Sequence, residues 1–222
     1  MSWSRSWSGV ARRRTTRTAA EATARRRSHR GVKRPLGARP GPPGKVRIIG
    51  GRWRGTTLPL AAHGGLRPSS SRTRETLFNW LTPYLPGARC LDLFAGTGVL
   101  GFEAVSRGAR AADLVEADQR LCVQLTAART RLAAAAVTVH HAEAFEWLRR
   151  TPQAYDIVFL DPPFNAGLVP RALATLVAGW LAPRALVYVE QERSRQGAYP
   201  GWQIVRQGAT REVDYALVTY AG

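Results

Sequence analysis

The sequence predicts an α/β fold, a mostly parallel sheet covered by helices on both faces. Three observations carry this expectation. From Ala88 onward, short apolar runs of strand length alternate with amphipathic helical segments. The runs are mostly apolar, as strands covered on both faces are. A glycine-rich loop follows the first run and a double proline ends the fourth, at the carboxyl ends where open α/β sheets bind ligands.

Taken in order, the chain of 222 residues opens on a strongly basic head. Residues 1–45 hold 13 Lys and Arg against one acid, Glu21, while the remainder holds 20 against 14. Residues 1–44 are Arg, Ala, Ser, Gly and Pro without an apolar period, which predicts a disordered tail. An RNA-binding tail, an over-long gene start and an organellar transit peptide are the three readings open for it. The net charge of +18 favours a polyanionic partner, nucleic acid before an anionic membrane surface. Cys90 and Cys122 lie in apolar segments, as buried thiols of a reducing compartment do, and two thiols make a weak metal site, so no metal is expected. No apolar run approaches the ~18 residues of a membrane span, and no secretory core opens the chain. A cytoplasmic protein is expected.

Order is expected to begin at Lys45. Val46–Ile49 and Trp53–Leu60 are strand-like, with a hairpin turn at Gly50-Gly51. A helix over Arg72–Leu81 follows, with Ser71 as its cap and Pro83 as its stop. Strands are then expected in "RCLDLFA", "ADLVEA", "VTVHHA", "YDIVFLD" and "ALVYVEQ", and helices near Val99–Arg107, Gln119–Leu132, Glu143–Arg150 and Val169–Trp180. In the second of these helices Leu121, Leu125, Ala128 and Leu132 share one face. The last 22 residues read as a terminal antiparallel hairpin. This divides the chain into a tail (1–44), a hairpin and helix (45–86) and a ligand-binding domain (87–222).

The loop "LDLFAGTGVLG" places Gly96, Gly98 and Gly101 between a strand and a helix, a pattern that serves any adenosine ligand. Glu116, at the end of the next strand, stands where an acid binds ribose hydroxyls. Asp92 discriminates among ligands. At the strand end before the glycines its carboxylate would repel a pyrophosphate, whereas it attracts the ammonium and sulfonium of S-adenosylmethionine. A plainer role for Asp92 is to cap the loop. Glu143, after the third strand, is either an acceptor for the adenine amino group or a first-turn acid complementing the helix dipole.

"DPPF" then has a chemical reading. The lone pair of an exocyclic base amine is delocalised into its ring and attacks poorly. The Asp161 carboxylate and the Pro162 carbonyl, held rigidly, would accept its hydrogens and fix its geometry, while Phe164 would stack on the base. Such a loop suits an extruded or unpaired base.

With "RIIGGRWRG", "LRPSSSRTRETLFNWL", "LDLFAGTGVLGFEAVSRGA", "IVFLDPPF" and "WLAPRALVYVE" in this order and spacing, the chain resembles the RsmD-type family of bacterial 16S ribosomal RNA guanine-N2 methyltransferases, class I S-adenosylmethionine enzymes with a Rossmann-like fold. The resemblance covers about Val46 to Tyr220. It implies a seven-stranded sheet and methyl transfer to one guanine of small-subunit RNA; a monomer is expected. It assigns cofactor contacts to Asp92, Gly96, Gly98, Glu116 and Glu143, and the target amine to Asp161, Pro162 and Phe164. It gives Arg67, Arg72 and Arg74 to phosphate or cofactor-side contacts, and Arg52, Trp53 and Arg54 to an RNA-facing hairpin. These arginines have a plainer reading as solvated basic surface, and Arg74 as the partner of an acid. Ser71 departs from the Asp often found there in relatives, Glu143 from Asp or Asn, and the long Arg tail is not usual.

Other functions remain to be weighed. N6-adenine methylation of DNA or RNA would use the same acceptor loop, and protein-glutamine methyltransferases resemble a loop with Asn at the place of Asp161. A non-enzymatic RNA-binding assembly factor has no need of Asp92, Glu116 and Asp161 together. A nicotinamide oxidoreductase is disfavoured by Asp92. His140 and His141 are adjacent on a strand, so at most one faces a site.

Overall fold

A computed structural model describes residues 44–59, 70–163, 167–193 and 199–222. The expected tail, apart from Gly44, lies outside the described residues, as do Arg67 and Phe164.

Two short strands, β1 (Lys45–Arg47) and β2 (Thr57–Pro59), pair antiparallel. The second strand starts four residues later than its sequence indicates, because Gly51–Trp53 form a 3₁₀ turn instead of a tight hairpin turn. Helix α1 spans Ser71–Leu81, and its cap is Ser70, not Ser71: the Ser70 hydroxyl accepts from the Thr73 N–H at 3.1 Å.

The main sheet follows: β3 (Arg89–Asp92), α2 (Val99–Ser106), β4 (Ala111–Glu116), α3 (Gln119–Arg131), β5 (Val137–His141), α4 (Ala144–Trp147), β6 (Tyr155–Leu160), α5 (Leu168–Leu176), β7 (Leu181–Glu192), β8 (Trp202–Ala209) and β9 (Val213–Tyr220). Its order is β5-β4-β3-β6-β7-β9-β8. The first five strands run parallel, and β9 inserts antiparallel between β7 and β8. The terminal hairpin thus closes one edge of a seven-stranded sheet. The order reverses at β3, from which the chain proceeds first toward β5 and then back to β6; this switch point opens a crevice at the carboxyl ends of β3 and β6.

One face of the sheet packs Cys90, Leu114, Ile157, Phe159 and Tyr188 beneath α1, α2 and α3, and the other packs Leu91, Val158 and Val189 beneath α4 and α5. Segment 45–86 shares the first of these cores, through Val46, Ile48, Leu58, Leu77 and Phe78. In α3, Leu121, Leu125 and Ala128 are buried along the expected face, and Leu132 packs against the core. Both cysteines are buried and free.

Candidate active site

Register brings the acids together. Asp92 pairs with Leu114 on one side and Phe159 on the other, and Phe159 pairs with Tyr188. Side chains alternate between faces, so Glu116, Asp161 and Glu190, each two residues further along, project on the same side. Four carboxylates therefore line the carboxyl ends of β4, β3, β6 and β7, on the face covered by α1–α3.

Asp92 is 2% exposed, and its Oδ2 accepts from the Gly101 N–H at 3.1 Å, an unpaired donor of the first turn of α2. Burial raises its carboxyl to about 7; the Gly101 bond pulls it down and the Glu116 charge pushes it up. Among the described residues no cation lies against it. Glu116 Oε2 accepts from the Gly96 N–H and Oε1 from the Asp118 N–H, both at 2.8 Å. Each oxygen keeps acceptor capacity for a hydroxyl. Gly98 caps α2 with φ +71°, and a Cβ there would meet Leu125 Cδ2 at 2.5 Å, so only glycine lets the loop turn this tightly against α3. Burial, then the charges of Asp156 and Asp92, push the Cys90 thiol far up, which leaves it a packing group.

These donors and acceptors fit S-adenosylmethionine. A buried carboxylate without a cation, next to a glycine loop and a ribose-type acid, suits an ammonium and a sulfonium and opposes a pyrophosphate.

Beside this, Asp161 is half-buried, Pro162 buried and Pro163 exposed, directly after β6. Glu143 stands at the cap position of α4, exposed, and its side chain makes no cap hydrogen bond. The polar atoms of Tyr155, His140 and Arg89 meet instead around Asp113, whose side chain projects to the opposite face. His140 is thereby a structural partner.

The expected RNA-facing residues separate. Arg52, Arg54 and Arg72 are exposed, and the Arg52 guanidinium lies 4.2 Å over the half-buried Trp53 ring. Arg74 departs from the RNA-facing expectation and follows its plainer reading as the partner of an acid, with 1% exposure. Its Nη1 donates to Glu103 Oε2 at 3.2 Å and to the Arg47 carbonyl at 2.9 Å. Glu103 is fully buried and also accepts from Arg107 Nη2 at 2.8 Å, Arg107 Nε at 3.0 Å and the Ile49 N–H at 3.2 Å. Burial holds Arg74 below and Glu103 above its ordinary value, and their mutual attraction opposes both shifts. A second clamp sits nearby: the Ser106 hydroxyl donates to the Gly50 carbonyl at 2.7 Å and accepts from the Trp53 N–H at 2.9 Å. Gly51, with φ +74°, rests so close that a Cβ would lie 1.9 Å from the Ser106 carbonyl oxygen. The loop bearing Arg52 and Arg54 is thus fixed to α2, the helix that begins at the cofactor loop.

Sequence reading missed Glu103 and Glu190. The signal was an acid inside an otherwise apolar run for Glu103, "VLGFEAVS", and one closing such a run for Glu190, "ALVYVE".

This sheet order, with carboxylates rather than cations around its glycine loop, defines a class I S-adenosylmethionine-dependent methyltransferase. Residues 46–219 match the family model described as conserved hypothetical protein 95, and the chain belongs to that family. It is 43% identical over 177 residues to the ribosomal RNA small subunit methyltransferase D of Escherichia coli (strain K12), covering 78% of this chain and 89% of the relative. To the protein of that name from Haemophilus influenzae it is 40% identical over 184 residues, 80% of this chain and 95% of the relative. Among solved structures, a putative methyltransferase yhhF from Escherichia coli superposes with a TM-score of 0.75 at 40% identity, over 81% of this chain and all of that one.

Proposed function

We propose that this chain transfers a methyl group from S-adenosylmethionine to the exocyclic N2 amine of one guanine in the 16S RNA of the small ribosomal subunit. It acts as a cytoplasmic monomer on the subunit or an assembly intermediate. One observation supports this above the others. Asp161 and Pro162 leave β6 next to β3, whose end carries Asp92 and the glycine loop. An amine-holding loop and a cation-binding loop thus share the crevice at the switch point. The substrate is supported by the relatives named as small-subunit ribosomal RNA methyltransferases.

When bound, the cofactor supplies a sulfonium-activated methyl group. The residues of the chain supply orientation. Asp92 holds the cationic methionine portion, with Gly96 and Gly98 giving backbone access. Glu116 accepts from the ribose hydroxyls, and Glu143 from the adenine amino group. Asp161 and the Pro162 carbonyl accept from the two N2 hydrogens, and Phe164 stacks on the base. With both hydrogens held, the nitrogen lone pair is aimed at the methyl carbon, and the proton shed after transfer has the Asp161 carboxylate beside it. No covalent enzyme intermediate is involved. Arg52, Trp53, Arg54, Arg67 and Arg72 contact RNA, with the head of the chain adding phosphate contacts.

The test is methyl transfer from labelled S-adenosylmethionine to unmodified 30S particles, followed by nuclease digestion and mass analysis. The label is expected in N2-methylguanosine, about 100- to 1,000-fold slower in Asp161→Ala. Label in N6-methyladenosine would keep the chemistry and overturn the substrate.

A further inference from the structure

In the reading above Asp92, Glu116 and Asp161 each have a task, and a fourth acid of the row, Glu190, has none. Leu160 and Val189 are the last residues paired between β6 and β7, so the next step along the chain brings Asp161 and Glu190 abreast. Both continue the face that carries Phe159 and Tyr188. Glu190 is 3% exposed, and its Oε2 accepts from the Tyr188 hydroxyl at 2.6 Å. The phenol is raised well above its ordinary value by burial, then by the charges of Glu190 and Asp161. It therefore remains a donor across the working pH range and orients the Glu190 carboxylate. A buried carboxylate is expensive to keep beside a second one.

Base chemistry supplies a reason for it. Three bases carry an exocyclic amine. In guanine the ring nitrogen beside that amine, N1, bears a hydrogen, so the edge offers two adjacent donors. In adenine and cytosine the corresponding ring nitrogen is an acceptor. Asp161 alone would hold any of the three amines. A second acceptor abreast of it accepts the guanine N1–H and meets adenine or cytosine lone pair to lone pair.

We propose that Glu190 is the specificity-determining residue of the site, accepting from N1–H of the guanine whose N2 amine Asp161 holds. This rests on the functional reading above and adds to it the origin of base choice. Burial of Glu190 sharpens the discrimination, because an unmatched acceptor on its side has little water to turn to.

The test uses the full chain and 30S particles reconstituted with 16S RNA in two forms. One carries the guanine that the wild-type protein methylates, located by digestion, and the other adenine in its place. Glu190→Gln keeps the shape and an acceptor for Tyr188, but presents an amide donor that adenine N1 can accept. The guanine-over-adenine ratio of methyl transfer is expected to fall about 10- to 100-fold, with cofactor affinity unchanged and the thermal midpoint no lower than the parent's. Where the midpoint drops, Tyr188→Phe, which leaves the carboxylate and removes the group that orients it, is expected to lower the same ratio by a smaller factor. An unchanged ratio in both variants, with Asp161→Ala inactive, overturns the role of Glu190 alone. Full activity in Asp161→Ala overturns the reading on which it rests.

Discussion

Asp92 and Glu103 are buried acids eleven residues apart, one at each side of the glycine loop, yet their surroundings are opposite. Glu103 has two guanidinium groups and a backbone N–H on its oxygens. Asp92 has a single backbone N–H, and among the described residues no cation. The first acid is satisfied within the fold and joins three elements that are distant in sequence. The second is held in a state that a cation would improve. What separates a structural buried charge from a ligand-binding one is thus the number of partners the fold itself provides.

The largest expected effect breaks the saturated side. Glu103→Ala leaves the Arg74 guanidinium buried without its acid, and the loss of stability should be about 3–5 kcal/mol in urea unfolding. A loss under about 1 kcal/mol would show that Arg74 finds other compensation.

On the other side the sign reverses. The Asp92 carboxyl lies above its ordinary 3.8, so the folded chain keeps a proton that the unfolded chain sheds between about pH 4 and 7. Its contribution to stability therefore falls as pH rises through that window, by at most about 4 kcal/mol. Asp92→Asn should be more stable than the parent at pH 8, and this advantage should shrink toward pH 4. The same variant should bind S-adenosylmethionine about 10- to 100-fold more weakly at pH 8, read by calorimetry. A variant no more stable than the parent, or one that binds the cofactor as well, would remove Asp92 from the unsaturated class.

Smaller effects follow at the clamped loop. Ser106→Ala removes the hydroxyl that meets Gly50 and Trp53 and should cost about 1 kcal/mol. Arg52→Ala and Arg54→Ala should each reduce the salt slope of 16S RNA binding by about 0.9 while leaving cofactor affinity alone. An unchanged slope would return these arginines to plain solvated surface.

Much of this was legible from the chain. Short apolar runs located the five parallel strands, because a sheet covered by helices leaves runs that survive without context, and the terminal pair was legible from two runs joined by a turn. Three of the four carboxyl-end acids, Asp92, Glu116 and Asp161, were legible because the loops after their runs carry recognisable chemistry. Pairing across sequence was not legible. Arg74 read as an RNA contact because nothing local marks that Glu103, 29 residues on, faces it across the α1–α2 interface. The late start of β2 follows from the same long-range contacts, since Trp53 is held by Ser106 and cannot join the strand. Glu190 was passed over because its meaning depends on register with β6, which no single strand displays.

The most direct test is the proton balance of cofactor binding. Calorimetric titration of S-adenosylmethionine at pH 6, in buffers of different ionisation enthalpy, gives the protons released per molecule bound. With the free Asp92 carboxyl near 7, a bound cation must expel close to one proton at pH 6, and close to none in Asp92→Asn. Binding that releases no proton at pH 6, or the same number in the variant, would contradict Asp92 as the acid that awaits a cation.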